Sequence, residues 1–438
     1  MTEHNYMQKL ISRSILPLLV VMVFSACNKS EPTIDRLEVE RVISALAHDD
    51  MQGRGLFSPG LARAAAFLAD EFDDAGLEKL DGEENFLQSF SYFSLTIENA
   101  SLSIDGTDIS SESFFVTGSH DKINWSGSDK IQIVRVPADA DFREAFSIAR
   151  SQASNQLVLV DPEQTGTFER YLGFMHRGSR VKALNEGGTS VFVLTDQANA
   201  DSFEISISRS VETLEMANIV GKITGNRTDE YVLFSAHYDH IGIVDPVEGD
   251  SIANGANDDA SGSTAVVALA NYFSDSPKPE RTLLFALFTA EESGGFGSRH
   301  FSEQLNPDQI VAMFNIEMIG KPAVEGPNTA WITGFDRSTF GQILQAAVED
   351  TEYTFYPDPY PTQNLFFRSD NATLARLGVP AHSISTTPID VDPDYHKVSD
   401  HVTTLDLDHM TNTIKAIAAA ATTIMSGEAT PTRVTIEE

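Results

Sequence analysis

At 438 residues the chain is long enough for two or three domains, and a hydrophobic fraction of 41% is ample for a large core. Its 64 acidic against 30 basic side chains leave a net charge of −34, which repels nucleic acid and anionic membrane surfaces, so no nucleic-acid partner is expected. The single cysteine, Cys27, excludes an internal disulfide and a thiolate-built zinc site, since either needs at least two.

Lys9 and Arg13 precede an apolar run, residues 15–24, that is too short to span a bilayer of roughly 30 Å as a helix but has the length of a signal h-region. Ser25 and Ala26 then lead into Cys27. The pattern resembles a bacterial lipoprotein signal, with Phe24 where Leu is more common. That resemblance implies cleavage before Cys27, a lipid anchor on it, and an exported protein held on a membrane and facing the periplasm or cell exterior. The alternative is an ordinary signal or short anchor with an incidental cysteine; either way the mature protein is exported.

Residues 28–35 are polar and read as a tether. Leu37, Val42, Ile43 and Leu46 recur at helical spacing, and after the turn-rich link around Gly53, Gly55, Pro59 and Gly60 a second helix carries Ala64, Ala65, Leu68 and Phe72 up to Gly76. From about residue 90 to 215 the texture changes to short β-type runs, such as 132–136, 157–160 and 191–194, with a helix expected over 177–188. This stretch reads as an inserted α+β domain between 28–89 and 216–427. Beyond Asn218, apolar runs at 231–236, 282–289, 310–316, 330–333 and 381–384 alternate with amphipathic helices. Such alternation predicts an α/β fold with a mainly parallel sheet covered by helices on both faces. A last helix carries Met410, Ile414, Ile417, Ala421 and Ile424, and residues 428–438 are expected to fray as a tail. The Pro- and Tyr-rich stretch 353–361 reads equally as a lid or as a rigid loop.

In sheets of this kind functional groups gather just past the carboxyl ends of the strands. His237 and Asp239 follow the run ending at Ala236, Glu291 and Glu292 follow Thr289, Glu317 follows Ile316, and His396 lies in a later loop. The loop NGANDDASG, residues 254–262, adds Asp258 and Asp259 at the mouth of a helix. Two imidazoles and three carboxylates suit zinc. With Asp258 bridging, His237 and Glu317 would complete one site, and Glu292 and His396 the other. Such a centre would acidify a bound water, Glu291 would take its proton as general base, and Asp239 would orient the His237 ring through its far nitrogen. Each residue also has a plainer reading: paired glutamates after a strand commonly begin a solvated helix, Asp259 suits a turn or cap, Ser261 an N-cap, and lone histidines such as His240 and His401 are more often simple hydrogen-bonding residues.

HYD at 237–239, NGANDDASG at 254–262, AEESGGFGS at 290–298, NIEMIG at 315–320, RSDNATLARLGVPA at 368–381 and DYHKVSD at 394–400, in that order, resemble the M28 family of zinc metallopeptidases, as does the lead-in LAHDDMQGRG. The resemblance implies a mixed sheet flanked by helices and two Zn2+ ions held by His237, Asp258, Glu292, Glu317 and His396. Glu291 would be the general base, and the substrates peptides with a free N-terminus. Two positions depart from the family pattern: Glu317 stands where Asp is frequent and Asp259 where Asn is frequent. The insert is similar to a protease-associated domain through residues 157–161 and 177–195. Carboxypeptidase or dipeptidase activity on the same centre, a one-zinc glutaminyl cyclase, and a non-catalytic binding protein are the alternatives carried forward.

Overall fold

The computed structural model describes residues 32–436, so the signal-like segment 1–27 with Cys27 lies outside the described residues. Among those described, no helix is long and apolar enough to cross a membrane.

Helix α1 (Arg36–Leu46) starts where the Asp35 carboxylate accepts from the Leu37 amide at 2.9 Å, and it buries Val39, Val42, Ile43 and Leu46. Helix α2 (Pro59–Asp74) starts at Ser58, whose hydroxyl accepts from Leu61 N, with Pro59 in the first turn, where its missing N–H costs nothing. Two very long strands follow, β1 (Leu87–Ile104) and β2 (Phe203–Ile223), paired antiparallel from Leu87 against Ile219 to Ile104 against Phe203.

The rest alternates strand and helix: β3 (Arg227–His237), α3 (Ser261–Asp275), β4 (Arg281–Phe288), α4 (Phe296–Glu303), β5 (Ile310–Ile316), β6 (Thr329–Ile332), α5 (Phe340–Ala347), β7 (Thr354–Pro357), β8 (Ala381–Ser385) and α6 (Leu407–Met425). The sheet runs β7-β6-β8-β5-β3-β4-β2-β1. Its centre, β8-β5-β3-β4, is parallel, while β6 against β8 and β2 against both β4 and β1 are antiparallel. A mixed sheet with a parallel centre needs cover on both faces, and the strand alternation supplies it. Val232, Phe234 and Ala236 join one core with Leu269 and Phe273 of α3, whereas Leu233 faces the other core with Phe301 of α4 and Val434. The register sets Phe234 beside Phe285 and Phe314, with ring centroids 5.5 and 5.0 Å apart.

Between β1 and β2 a second sheet of four strands (Phe114–Thr117, Ser190–Leu194, Gln156–Val160, Gln132–Val136) packs with helices Phe142–Ser151 and Thr165–His176. The helix expected over 177–188 is absent. The helical turns end at His176, Gly178 takes a φ of +106°, and Ser179–Val181 pairs with β1 instead. The β-branched Val and flanking glycines favour strand and turn there over helix.

Two further expectations change. In the stretch 353–361, expected as a lid or a rigid loop, Thr354–Pro357 is the edge strand β7, and buried Tyr353 donates its hydroxyl to Thr413 at 2.8 Å. The tail does not fray through its described length. Arg281 reaches Ala429 O and Thr430 Oγ1, Val434 N donates to Gly378 O at 2.9 Å, and Val434 is buried. An apolar residue that closes a core and a buried arginine needing acceptors hold it down.

Candidate metal centre

Parallel register brings the carboxyl ends of β3, β4 and β5 level, with His237 opposite Phe288 and Ser235 opposite Asn315. Side chains just past these ends therefore share one edge, with the loop 254–260 laid across it. That loop is buried throughout although it is mostly polar, so its backbone groups need partners. Arg54 supplies the largest share. Its fully buried guanidinium donates to Leu46 O, Tyr238 O, Asn254 O and Gly255 O at 2.7–2.9 Å, and to Asp258 O at 3.4 Å. From the other side, buried Asp400 accepts from Asn257 N at 3.0 Å and Asp258 N at 3.2 Å. Asn257 ties in the segment after β5 by accepting from Gly320 N at 2.9 Å.

Asp259 acts as the expected turn and cap residue, accepting from Gly262 N and Met318 N at 3.0 Å each. Ser261 is not the N-cap; its hydroxyl donates to Asn257 O and accepts from Ile319 N. The carboxylate of Asp259 already occupies the cap position, which frees the hydroxyl to join two loops. Gly262 is required here, since a Cβ would stand 2.1 Å from Ile316 O.

Asp258 is left with both carboxylate oxygens free of backbone donors. Oδ1 lies 3.3 Å from His237 Nε2, and Oδ2 lies 3.1 Å from His396 Nε2, which is itself 3.2 Å from Glu292 Oε1. Donor atoms of His237, Asp258 and Glu317 fall within 4.8 Å of one another, as do those of His240, Asp258 and Glu292. The chemistry fits divalent cations. His237 Nδ1 lies 3.0 Å from the Asp239 carbonyl oxygen, which only accepts, so Nδ1 carries the hydrogen and the Nε2 lone pair faces a carboxylate. Nε2 of His237 and Oε2 of Glu317 are buried without a hydrogen-bond partner. Two electron-rich groups in contact demand positive charge between them.

The titration tendencies express the same demand. Burial works to raise the Asp258 carboxyl, yet the His237 and His396 imidazoles hold it well below the usual range. Burial works to lower His396, yet Asp258 and Glu292 push it up to about 10. Glu291 is pushed well above the ordinary carboxyl range by burial and by the neighbouring Glu317, Asp370 and Glu292, although His237 opposes them. Its backbone N–H donates to Asp239 Oδ1 at 3.0 Å. Asp239 thus differs in detail from expectation. The backbone carbonyl orients the His237 ring, the carboxylate stands 3.8 Å from Nδ1, and its nearer partner is the Glu291 amide.

The sequence reading passed over two residues of this edge. His240 is fully buried, with Nδ1 2.9 Å from Glu292 Oε1 and 3.8 Å from Asp258 Oδ2. Its only signal was its place next to Asp239. Arg54 falls in the turn-rich link, and a charged residue between glycines carries no mark of being buried. His401 stays outside, 3.7 Å from Asp250 and partly exposed.

Residues 218–421 match the model of peptidase family M28. The chain is 28% identical over 238 residues to leucine aminopeptidase 1 of Trichophyton rubrum, a match covering 51% of this chain and 62% of that relative. In structure it resembles an aminopeptidase from Aneurinibacillus sp. strain AM-1, with a TM-score of 0.53 and 17% identity over 92% of this chain and 96% of the other. It also resembles a zinc aminopeptidase from Bacillus subtilis, with a TM-score of 0.54 and 15% identity over 93% and 99%. At such identities these likenesses establish the fold, a helix-flanked mixed sheet of the zinc aminopeptidase type. The stretch that matches family M28, residues 218–421, holds His237, Asp258, Glu292, Glu317 and His396, and over it the chain is similar to the peptidases of that family.

Proposed function

We propose that the protein is a zinc-dependent aminopeptidase that removes N-terminal residues from peptides at a two-zinc centre. The observation that carries this is Asp258, whose Oδ1 faces His237 and whose Oδ2 faces His396, with Glu317 clustered with His237 and Asp258, and Glu292 in contact with His396. The family match over 218–421 and the similarity to leucine aminopeptidase 1 of T. rubrum support peptide hydrolysis.

When bound, divalent ions would polarise the scissile carbonyl and acidify the attacking water. The protein's own groups do the rest. Glu291, lining the cavity with an elevated proton affinity, takes the proton from that water and returns it to the leaving amine. Asp239 fixes the Glu291 backbone and, through its carbonyl, the tautomer of His237. Carboxylates lining the cavity favour the substrate's free α-ammonium group. His240 steadies Glu292 by its 2.9 Å contact. Export, with the mature chain anchored through Cys27, belongs to the same proposal.

Metal analysis of the purified protein together with peptidase assays tests it. Two zinc equivalents are expected per chain, with activity lost to a chelator and restored by zinc. Peptides with a free N-terminus should be cleaved and their N-acetylated counterparts spared; equal cleavage of both would exclude an aminopeptidase. A Cys27→Ala variant that still fractionates with membranes would remove the lipid anchor.

A further inference from the structure

The cavity at the carboxyl edge of the sheet has a volume of about 310 Å³ and is lined by four carboxylates, from Asp258, Glu291, Glu292 and Glu317. Arg368 is the single arginine on its wall, and no lysine lines it. The backbone holds this arginine in place. Its N–H donates to Leu365 O at 3.1 Å, and the next residue, Ser369, accepts from Asn315 Nδ2 at 2.8 Å and hydrogen-bonds to Glu317. The guanidinium, by contrast, is free to receive a ligand. Its one side-chain hydrogen bond among the described residues is a 3.5 Å contact to Gln363, and no carboxylate comes within ion-pair distance. Lys321, four residues after Glu317, is the useful contrast, since Asp392 and Asp394 hold it at 2.5 and 2.8 Å.

A chain with 34 excess negative charges has acidic side chains in plenty to neutralise an arginine at this position, yet none among the described residues forms an ion pair with it. With two divalent ions in place, the charge of the lining carboxylates would be offset overall, and the guanidinium would offer a substrate anion its own local partner, apart from the carboxylate edge that faces the α-ammonium group. Five donors in a planar fork match a carboxylate. Trp331, Met318, Ile389 and Leu365 line the same cavity and suit the apolar stem of a side chain or the face of a short peptide.

We propose that Arg368 is the receptor for a carboxylate of the substrate peptide, borne either on an acidic first side chain or on the C-terminus of a dipeptide. This rests on the aminopeptidase reading and narrows its substrate class. Two near-isosteric pairs separate the sources: N-terminal Glu against Gln on a fluorogenic amide, and Leu-Gly against Leu-Gly-amide. Values of kcat/KM for the zinc-loaded full chain should favour the carboxylate member of one pair by roughly tenfold or more, the scale of a hydrogen bond to a charged group. In Arg368→Gln that ratio should fall to about one, and Arg368→Lys should retain part of it.

A preference in the Glu/Gln pair assigns the side chain; one in the dipeptide pair assigns the terminus. Absence of preference in both pairs, or a preference that survives in Arg368→Gln, overturns the proposal. Should none of the four compounds be turned over, the aminopeptidase reading fails. Calorimetric titration of the same protein with Leu-Gly and its amide, and with glutamate and glutamine, then decides the role of Arg368 alone: tighter carboxylate binding abolished in Arg368→Gln upholds it, and equal binding refutes it.

Discussion

The core of the insert and the floor of the cavity at the carboxyl edge of the main sheet are both buried, although His396 at the cavity is exposed, and they are filled with opposite chemistry. Around Phe192 in the insert, Phe115, Phe146, Phe142 and Phe168 meet with ring centroids 4.8–6.4 Å apart, and the buried members of the cluster are apolar, with Tyr171 packed at its edge. Around Asp258, three histidines and several carboxylates are packed together, and Nε2 of His237, Nε2 of His240 and Oε2 of Glu317 go without partners. Apolar burial stabilises without further condition, whereas buried unpaired polar atoms cost stability unless a ligand satisfies them. The first region is built for folding; the second is held in place by the rest of the fold.

The largest effect should come at the charged edge and should leave folding alone. Glu291→Gln should lower kcat/KM by roughly 10²-fold to 10⁴-fold, the range for general base catalysis, while zinc content and melting temperature stay at wild-type values. An unchanged rate would remove Glu291 from its role. The insert should show the reverse. Phe192→Ala should cost about 3–5 kcal/mol in denaturant unfolding, with turnover per folded molecule retained. A loss of turnover without loss of stability would mean that the insert acts on the site directly.

His382 lies between these extremes, a titratable group in an apolar setting. It stacks on Phe340 with centroids 4.8 Å apart, donates from Nδ1 to Thr333 O and accepts at Nε2 from Ser338. Burial lowers it to about 4. The folded state therefore binds the proton later than the unfolded chain, whose histidine titrates near 6.5. Its contribution is complete above about pH 6.5 and is lost progressively as pH falls towards 4, by up to about 3 kcal/mol. Unfolding free energies of wild type and His382→Gln across that window should show a shallower slope in the variant; parallel curves would contradict the assignment. The smallest effect concerns the tail. Val434→Ala should cost about 1–2 kcal/mol, the value of the buried methyl groups, and a neutral result would show that the tail contributes no stability.

Legibility followed the range of the interactions. Strands β3, β4 and β5 were plain because their apolar runs reflect burial on both faces, and His237, Glu292 and Glu317 were findable because they stand directly after those runs. The stretch 177–188 was misread because its helix-compatible residues pair with β1, a partner about 85 residues earlier in the chain. His240 was set aside because a single histidine beside a strand end has many uses, and what singles it out is a 2.9 Å contact to Glu292, 52 residues away.

By itself the sequence determined the alternation of strand and helix, the lead-in helices and the order of the motifs that carry the candidate ligands, since these depend on periodicity and on residues adjacent along the chain. Only the tertiary structure decided that Asp258 turns one oxygen to His237 and the other to His396, that Arg54 is buried beneath its loop, that the tail is pinned, and that Arg368 on the cavity wall has no ion-pair partner among the described residues. Each of these depends on which groups elsewhere in the fold supply or withhold a partner, and such pairings, up to 201 residues apart for Arg54 and Gly255, leave no local pattern in the chain.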